Sequence, residues 1–202
     1  MSVRSVSAPD TAFPRLVTLA AHDLRTPLAT IHGFAQTLVR MGDLGEPKQR
    51  YVEMIDAASR QLAELLDELG IAARIEAGRY EPNIQPADTL DLARAAADEL
   101  GEDRVAVAGE GGTVQVDVEA TQRGVAALAQ AALRHGGLQQ VDLRANGTTL
   151  AVSPVTTSSG PVLLGDELRD LGAAVAVRVV RALGGSVELT GDGETLSVRL
   201  PG

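Results

Sequence analysis

The chain reads as an antiparallel helical hairpin that pairs with a second copy into a dimeric four-helix bundle, followed by an α/β sandwich of the α+β kind. Three observations predict this. Two long segments, about 11–41 and 48–77, repeat apolar residues at three- and four-residue steps, and the turn cluster Gly42-Asp43-Leu44-Gly45-Glu46-Pro47 separates them. After Arg79 that period gives way to short β-prone runs alternating with shorter helices. Within the second half, Asn146-Gly147 between two such runs is a strong signal for a β-hairpin.

The first helix carries one apolar stripe: Phe13, Leu16, Ala20, Leu24, Leu28, Ile31, Phe34 and Leu38. Pro27 lies inside it, and an interior proline removes a hydrogen bond and bends a helix. The second helix buries Tyr51, Ile55, Ala58, Leu62, Leu65, Leu66 and Leu69, with Gly78 as its cap. One hairpin cannot bury two stripes by itself, so the pattern calls for a homodimer.

Beyond it, Pro82 and Pro86 mark an extended linker and a helix covers about 88–100. Arg104–Ala108 and Thr113–Asp117 read as strands around a Gly109-Glu110-Gly111-Gly112 turn, and 118–135 as a helix. Gln140–Arg144 and Thr149–Ser153 make the hairpin, 156–165 a loop, and 171–183 a helix stopped by Gly184-Gly185. Strands 186–190 and 195–200 close the chain around Gly191-Asp192-Gly193. The domain boundaries that follow are a tail at 1–10, a helical domain at 11–78 and an α+β domain at 79–202.

Composition narrows the function. The 202 residues hold no cysteine, which excludes disulfides, thiolate catalysis and cysteine zinc sites. A formal net charge of -9 argues against a nucleic-acid binder, which needs basic patches. No apolar run reaches the roughly 20 residues of a membrane span, and Arg4 precedes no apolar signal segment. A cytoplasmic location is the expectation.

The residues that carry chemistry are His22-Asp23-Leu24-Arg25-Thr26-Pro27-Leu28. On a helix, His22 and Thr26 stack one turn apart, while Asp23 points about 100° away around the axis. An unprotonated imidazole nitrogen attacks phosphorus when a carboxylate holds it in one tautomer. Thr26 is placed to bond a phosphoryl oxygen or a water, Arg25 adds positive charge, and Pro27 loosens the backbone beyond the histidine. His32 has no such surroundings and reads as structural or exposed.

This heptapeptide, with its apolar pattern and the second long helix, resembles the dimerisation and phosphoacceptor domain of two-component sensor histidine kinases over roughly 11–78. The resemblance implies that His22 carries phosphate, Asp23 acts as base in autophosphorylation, and Thr26 assists dephosphorylation of a response regulator. The order of segments after Arg79 resembles the ATP-binding domain of the same kinases, with departures. Ala127 and Ala131 stand where the family has asparagines, one of them a Mg²⁺ ligand, and alanine has no oxygen to offer a hard cation. Ser153–Val162 contains no acid where the family has an Asp-x-Gly-x-Gly loop, and only Gly160-Pro161 echoes it. Asp170-Leu171-Gly172-Ala173 replaces a glycine-rich phosphate turn, with Gly172 kept and Asp170 adding negative charge. On another alignment of these loops, Asp166 or Asp192 would take over the missing contacts.

Phosphoryl transfer is mostly positioning and charge stabilisation, so these losses predict weak or absent ATP binding and no cofactor or metal held by this chain. The leading expectation is a phosphorelay protein that exchanges phosphate between His22 and response-regulator aspartates, with Mg²⁺ supplied by the receiver. The alternatives are a soluble histidine kinase that still uses ATP-Mg²⁺, and a non-catalytic dimeric scaffold or phosphatase for a response regulator.

Overall fold

The computed structural model describes residues 12–41 and 46–202. The tail expected over 1–10 and residues 42–45 of the Gly42–Pro47 cluster lie outside the described residues. Helices α1 (Ala12–Met41) and α2 (Glu46–Glu76) form the hairpin. They run antiparallel: Phe34 stacks on Tyr51 with ring centroids 5.4 Å apart, whereas Leu16 and Ala20 meet Ile71 and Ala72 at the opposite end. Pro27 does not interrupt α1, which continues unbroken through it. The proline has no N–H, so the Asp23 carbonyl one turn earlier loses its helical donor.

The second unit begins with β1 (Ile84–Asp88) and α3 (Thr89–Leu100), then β2 (Val105–Gly111), β3 (Thr113–Asp117) and α4 (Val118–Gly136). It continues with β4 (Val141–Gly147), β5 (Thr149–Ser153), the short α5 (Gly160–Leu163), α6 (Leu171–Ala182), β6 (Ser186–Thr190) and β7 (Thr195–Arg199). Five strands make a sheet in the order β2-β4-β5-β7-β6, parallel between β2 and β4 and antiparallel elsewhere. Burial alternates along β4, β5 and β7, so one face of this sheet is covered. The cover is α3, α4 and α6, whose Leu92, Leu128, Leu133 and Val177 join Leu143, Leu150 and Leu196 in one core.

Three aspartates start the three long helices of this unit. Asp88, Asp117 and Asp170 each sit at the N-cap and accept an N–H, from Leu90, Ala120 and Ala173 respectively. Each satisfies one of the orphan donors of a helix start. Gly137, left-handed at φ 64°, closes α4.

Four local expectations are revised. The stretch at Ile84–Pro86 is not a linker but part of β1, which pairs antiparallel with β3 in a separate two-stranded sheet. Pro86 fits there because a two-stranded sheet leaves an edge without ladder bonds. Strands β2 and β3 are not a hairpin, since β2 pairs with β4 and β3 with β1. The glycines between them serve a crossing of layers: Gly109 has φ +102°, and a Cβ there would lie 2.0 Å from the Ala145 carbonyl oxygen. The β4–β5 turn is centred one residue later than expected, with Asn146 paired to Thr149. Finally, the 156–165 loop contains α5.

Candidate functional site

His22 stands on α1 with its side chain 75% exposed, and its Nδ1 lies 3.0 Å from the Asp23 carboxylate. Adjacent helical residues do not face one another, so the short Asp23 side chain reaches around the axis to make this contact. The carboxylate can only accept, which makes Nδ1 the protonated nitrogen and leaves the Nε2 lone pair free for attack. Arg25 and Thr26 are exposed beside it, and Pro27 is buried.

Asp23 and Thr26 also line a cleft of about 780 Å³ between the hairpin and the second unit. From α2 it receives Glu64 and Glu68; from α4, Arg123, Ala127, Gln130 and Arg134; from the start of α6, Asp170 and Gly172. The α4 residues recur at helical spacing and form one face. Ala131 is not on that face: it is 0% exposed and belongs to the core. Gly160 is buried at the start of α5, where a Cβ would come within 3.2 Å of Leu189. The acid-free loop before it folds onto the end of α4, with the Ser158 hydroxyl donating to the His135 carbonyl at 2.8 Å.

Asp170 does not stand as an unscreened charge. Its side chain is 8% exposed, and Oδ1 accepts the Ala173 N–H at 3.1 Å. Oδ2 accepts from Arg134 Nη1 at 3.2 Å and from His135 Nε2 at 3.1 Å. Its charge is thus held by the helix start and by two side chains of α4. Replacing Asp170 by Ala strands a buried amide and unpairs His135, with an expected cost of about 2 kcal/mol measured as a lowered urea midpoint.

Glu68 is a site residue that the sequence reading missed. One of its oxygens, Oε2, is buried with no hydrogen-bond partner. Burial, then the negative charges of Asp170 and Glu64, push its carboxyl up from 4.5 to about 7, while Arg123 opposes the rise. Nothing in Asp67-Glu68-Leu69 distinguishes it from other charges on α2, because its burial comes from an element far along the chain. Among the described residues, no group of three or more His, Asp or Glu side chains is placed to hold a metal ion. No described helix is long and apolar enough to cross a membrane.

Residues 15–78 match the His Kinase A (phospho-acceptor) domain. Over 108 residues the chain is 30% identical to the probable sensor histidine kinase TcrY of Mycobacterium tuberculosis, covering 52% of this chain and 21% of TcrY. Over 172 residues it is 28% identical to an uncharacterised sensor-like histidine kinase of Rhizobium meliloti, covering 78% of this chain and 32% of the relative. The solved structure of the Acinetobacter baumannii histidine kinase AdeS shares the fold, with a TM-score of 0.64 at 16% identity over 90% of this chain and 98% of that one. The hairpin is thus a histidine phosphoacceptor domain, and the unit behind it has the fold of the kinase ATP-binding domain. The match to the histidine kinase phosphoacceptor domain covers residues 15–78, and the likeness beyond them is one of fold. The chain spans between about a tenth and a third of the length of the curated relatives it matches.

Proposed function

We propose that this chain is a phosphate carrier of a two-component relay, which takes a phosphoryl group onto His22 from the aspartyl phosphate of a receiver domain and passes it to another. The observation that carries this reading is an exposed, Asp23-oriented His22 beside a cleft where Ala127 stands in the wall and Asp170 caps the start of α6. A hard cation calls for oxygen ligands, and Ala127 in the cleft wall offers none, while Ala131 faces the core. One amide at the start of α6, that of Ala173, already donates to the Asp170 carboxylate. Glu64 adds a carboxylate where a polyphosphate would bring more negative charge.

The transfer balances without a nucleotide. Nε2 of His22 attacks phosphorus, the bond from phosphorus to the receiver's carboxylate oxygen breaks, and that carboxylate leaves as the N–P bond forms. Asp23 keeps the Nδ1 proton in place and offsets the positive charge that develops on the ring. The receiver supplies the Mg²⁺. A second copy completes the assembly, because Leu28, Val52, Met54 and Leu66 of the hairpin remain 39–56% exposed in the single chain.

The test mixes pure protein with labelled ATP-Mg²⁺ and, separately, with a labelled phosphorylated receiver. Label on His22 from the receiver alone is the expected result, and label from ATP alone overturns the proposal. A thermal melt gives an independent check. A ligand bound to the native state raises stability with its concentration, so millimolar ATP-Mg²⁺ is expected to leave Tm within about 1 °C.

A further inference from the structure

The second unit is fastened to the hairpin at three points. Leu16 and Ala20 of α1 and Ile71 and Ala72 of α2 share a buried cluster with Leu171, Ala174, Val175 and Val179 of α6. Arg178 Nε donates to Glu76 at 2.9 Å, with both side chains largely buried. The third point is polar and incomplete. Gly172 in the first turn of α6 lies between two carboxylates, since a Cβ there would meet Glu68 Oε1 at 3.2 Å and Asp170 Oδ1 at 3.5 Å. Asp170 is fully bonded, but Oε2 of Glu68 is buried without a partner.

We propose that Glu68 is a proton-operated latch: in its neutral acid form it lets the start of α6 rest against the hairpin beside the cleft, and on ionisation it drives the second unit away. The groups around it favour the neutral form. Asp170 from the α6 start, Glu64 on α2 itself and Asp23 on α1 all repel a charge on Glu68, and only Arg123 on α4 attracts it. Arg134 and His135 are committed to Asp170 and do not offset the repulsion. Gly172 makes the close approach possible, because any side chain there would fill the space that the two carboxylates share with Ala127.

The sign follows from where the proton sits. The carboxyl has an ordinary value of 4.5 and a docked-state value of about 7, so docking takes up a proton between them. Docking is strongest below the ordinary value, weakens as pH rises through that window, and above about 7 carries the whole cost of a buried charge. The second unit thus loosens from the hairpin on the alkaline side and docks on the acid side. The device acts on access to the Asp23 and Thr26 face of α1, whichever molecule supplies the phosphate.

Hydrogen exchange of the full chain tests it, with rates corrected for the intrinsic effect of pH. Protection of the Ala173 and Ala174 amides at the start of α6 is expected to fall about tenfold from about pH 6 to about pH 8, one proton being linked per opening. Protection of the Leu150 and Val152 amides in β5 is expected to stay level. Glu68→Gln, which keeps the shape and cannot ionise, is expected to hold the α6 protection constant across the same range. Equal wild-type protection at both pH values, a drop shared equally by β5, or the same α6 drop in Glu68→Gln overturns the proposal. Should Glu68→Gln fail to fold, the wild-type contrast between α6 and β5 decides alone. None of these readouts involves phosphate, so failure of the latch and failure of the phosphate-carrier reading are separate results.

Discussion

Replacing His22 by Gln is expected to abolish uptake of phosphate from a phosphorylated receiver, a loss of at least about a thousandfold, because it removes the nitrogen that forms the N–P bond in the proposed transfer. Glutamine keeps the length and polarity of an exposed helical side chain, so the melting temperature is expected to stay within about 2 °C of wild type. Loss of labelling with an intact melt places the chemistry on this one side chain. Label retained by His22→Gln would sink the assignment and move it to another nucleophile. His32 would be the next to examine, since it lies on the same helix and is also exposed. The companion change Asp23→Asn leaves His22 in place but removes the anion that selects its tautomer. It is expected to slow transfer without abolishing it.

Truncating Leu171 to Ala has the largest expected effect on stability. Leu171 is 1% exposed and sits in the cluster that joins α6 to the ends of α1 and α2. Removing its branched end opens a cavity in a cluster shared by α1, α2, α4 and α6, at an expected cost of about 3 kcal/mol. Because the cavity lies at the junction, the loss is expected to fall on the coupling between the units rather than on either core. Urea unfolding followed by two probes, one in the hairpin and one in the sheet, checks this. Wild type is expected to show coincident transitions and Leu171→Ala separated ones. A cost under about 1 kcal/mol, with transitions still coincident, would mean that the polar contacts fasten the two units.

Much of the fold is legible where the signal is local. The stripes on α1 and α2 are visible because a helix repeats its face every three to four residues over a long run. The β4–β5 hairpin is visible because its turn residues sit between alternating strands, although Gly147 places the turn one residue further on. The phosphoacceptor run is legible for the same reason: His22, Asp23 and Thr26 lie within five residues of one helix, and the fold need only supply the helix. What the spacing mis-states is the contact itself. Asp23 is a quarter-turn and more from His22, yet its carboxylate bonds Nδ1.

Pairing at long range is less legible. Pro82 and Pro86 disguise β1 as a linker: Pro82 lies before the strand, and Pro86 is admitted by the open edge of a two-stranded sheet formed with β3. The Gly109–Gly112 stretch imitates a turn, because glycine serves a tight crossing of layers as readily as a hairpin. Asp170 shows the same limit at the site. Its spacing of three residues to Ala173 is that of an N-cap, but a lone carboxylate beside an expected phosphate turn reads first as repulsion. Only the packing of α4 against α6 brings Arg134 and His135 to it and turns a misplaced charge into a satisfied one.

The division between the two sources has a physical cause. Periodicity, caps and turn chemistry act within a few residues, so they specify the hairpin, the run of elements and the nucleophile before any tertiary contact exists. Burial, ion pairing and proton affinity depend on which surfaces meet. Glu68 is an ordinary helical glutamate until α6 closes on it, and Arg178 an ordinary surface arginine until Glu76 lies within 2.9 Å. The nucleophile is written into one turn of helix, whereas the cleft, its charge and the proton on Glu68 exist only once the start of α6 rests on the hairpin.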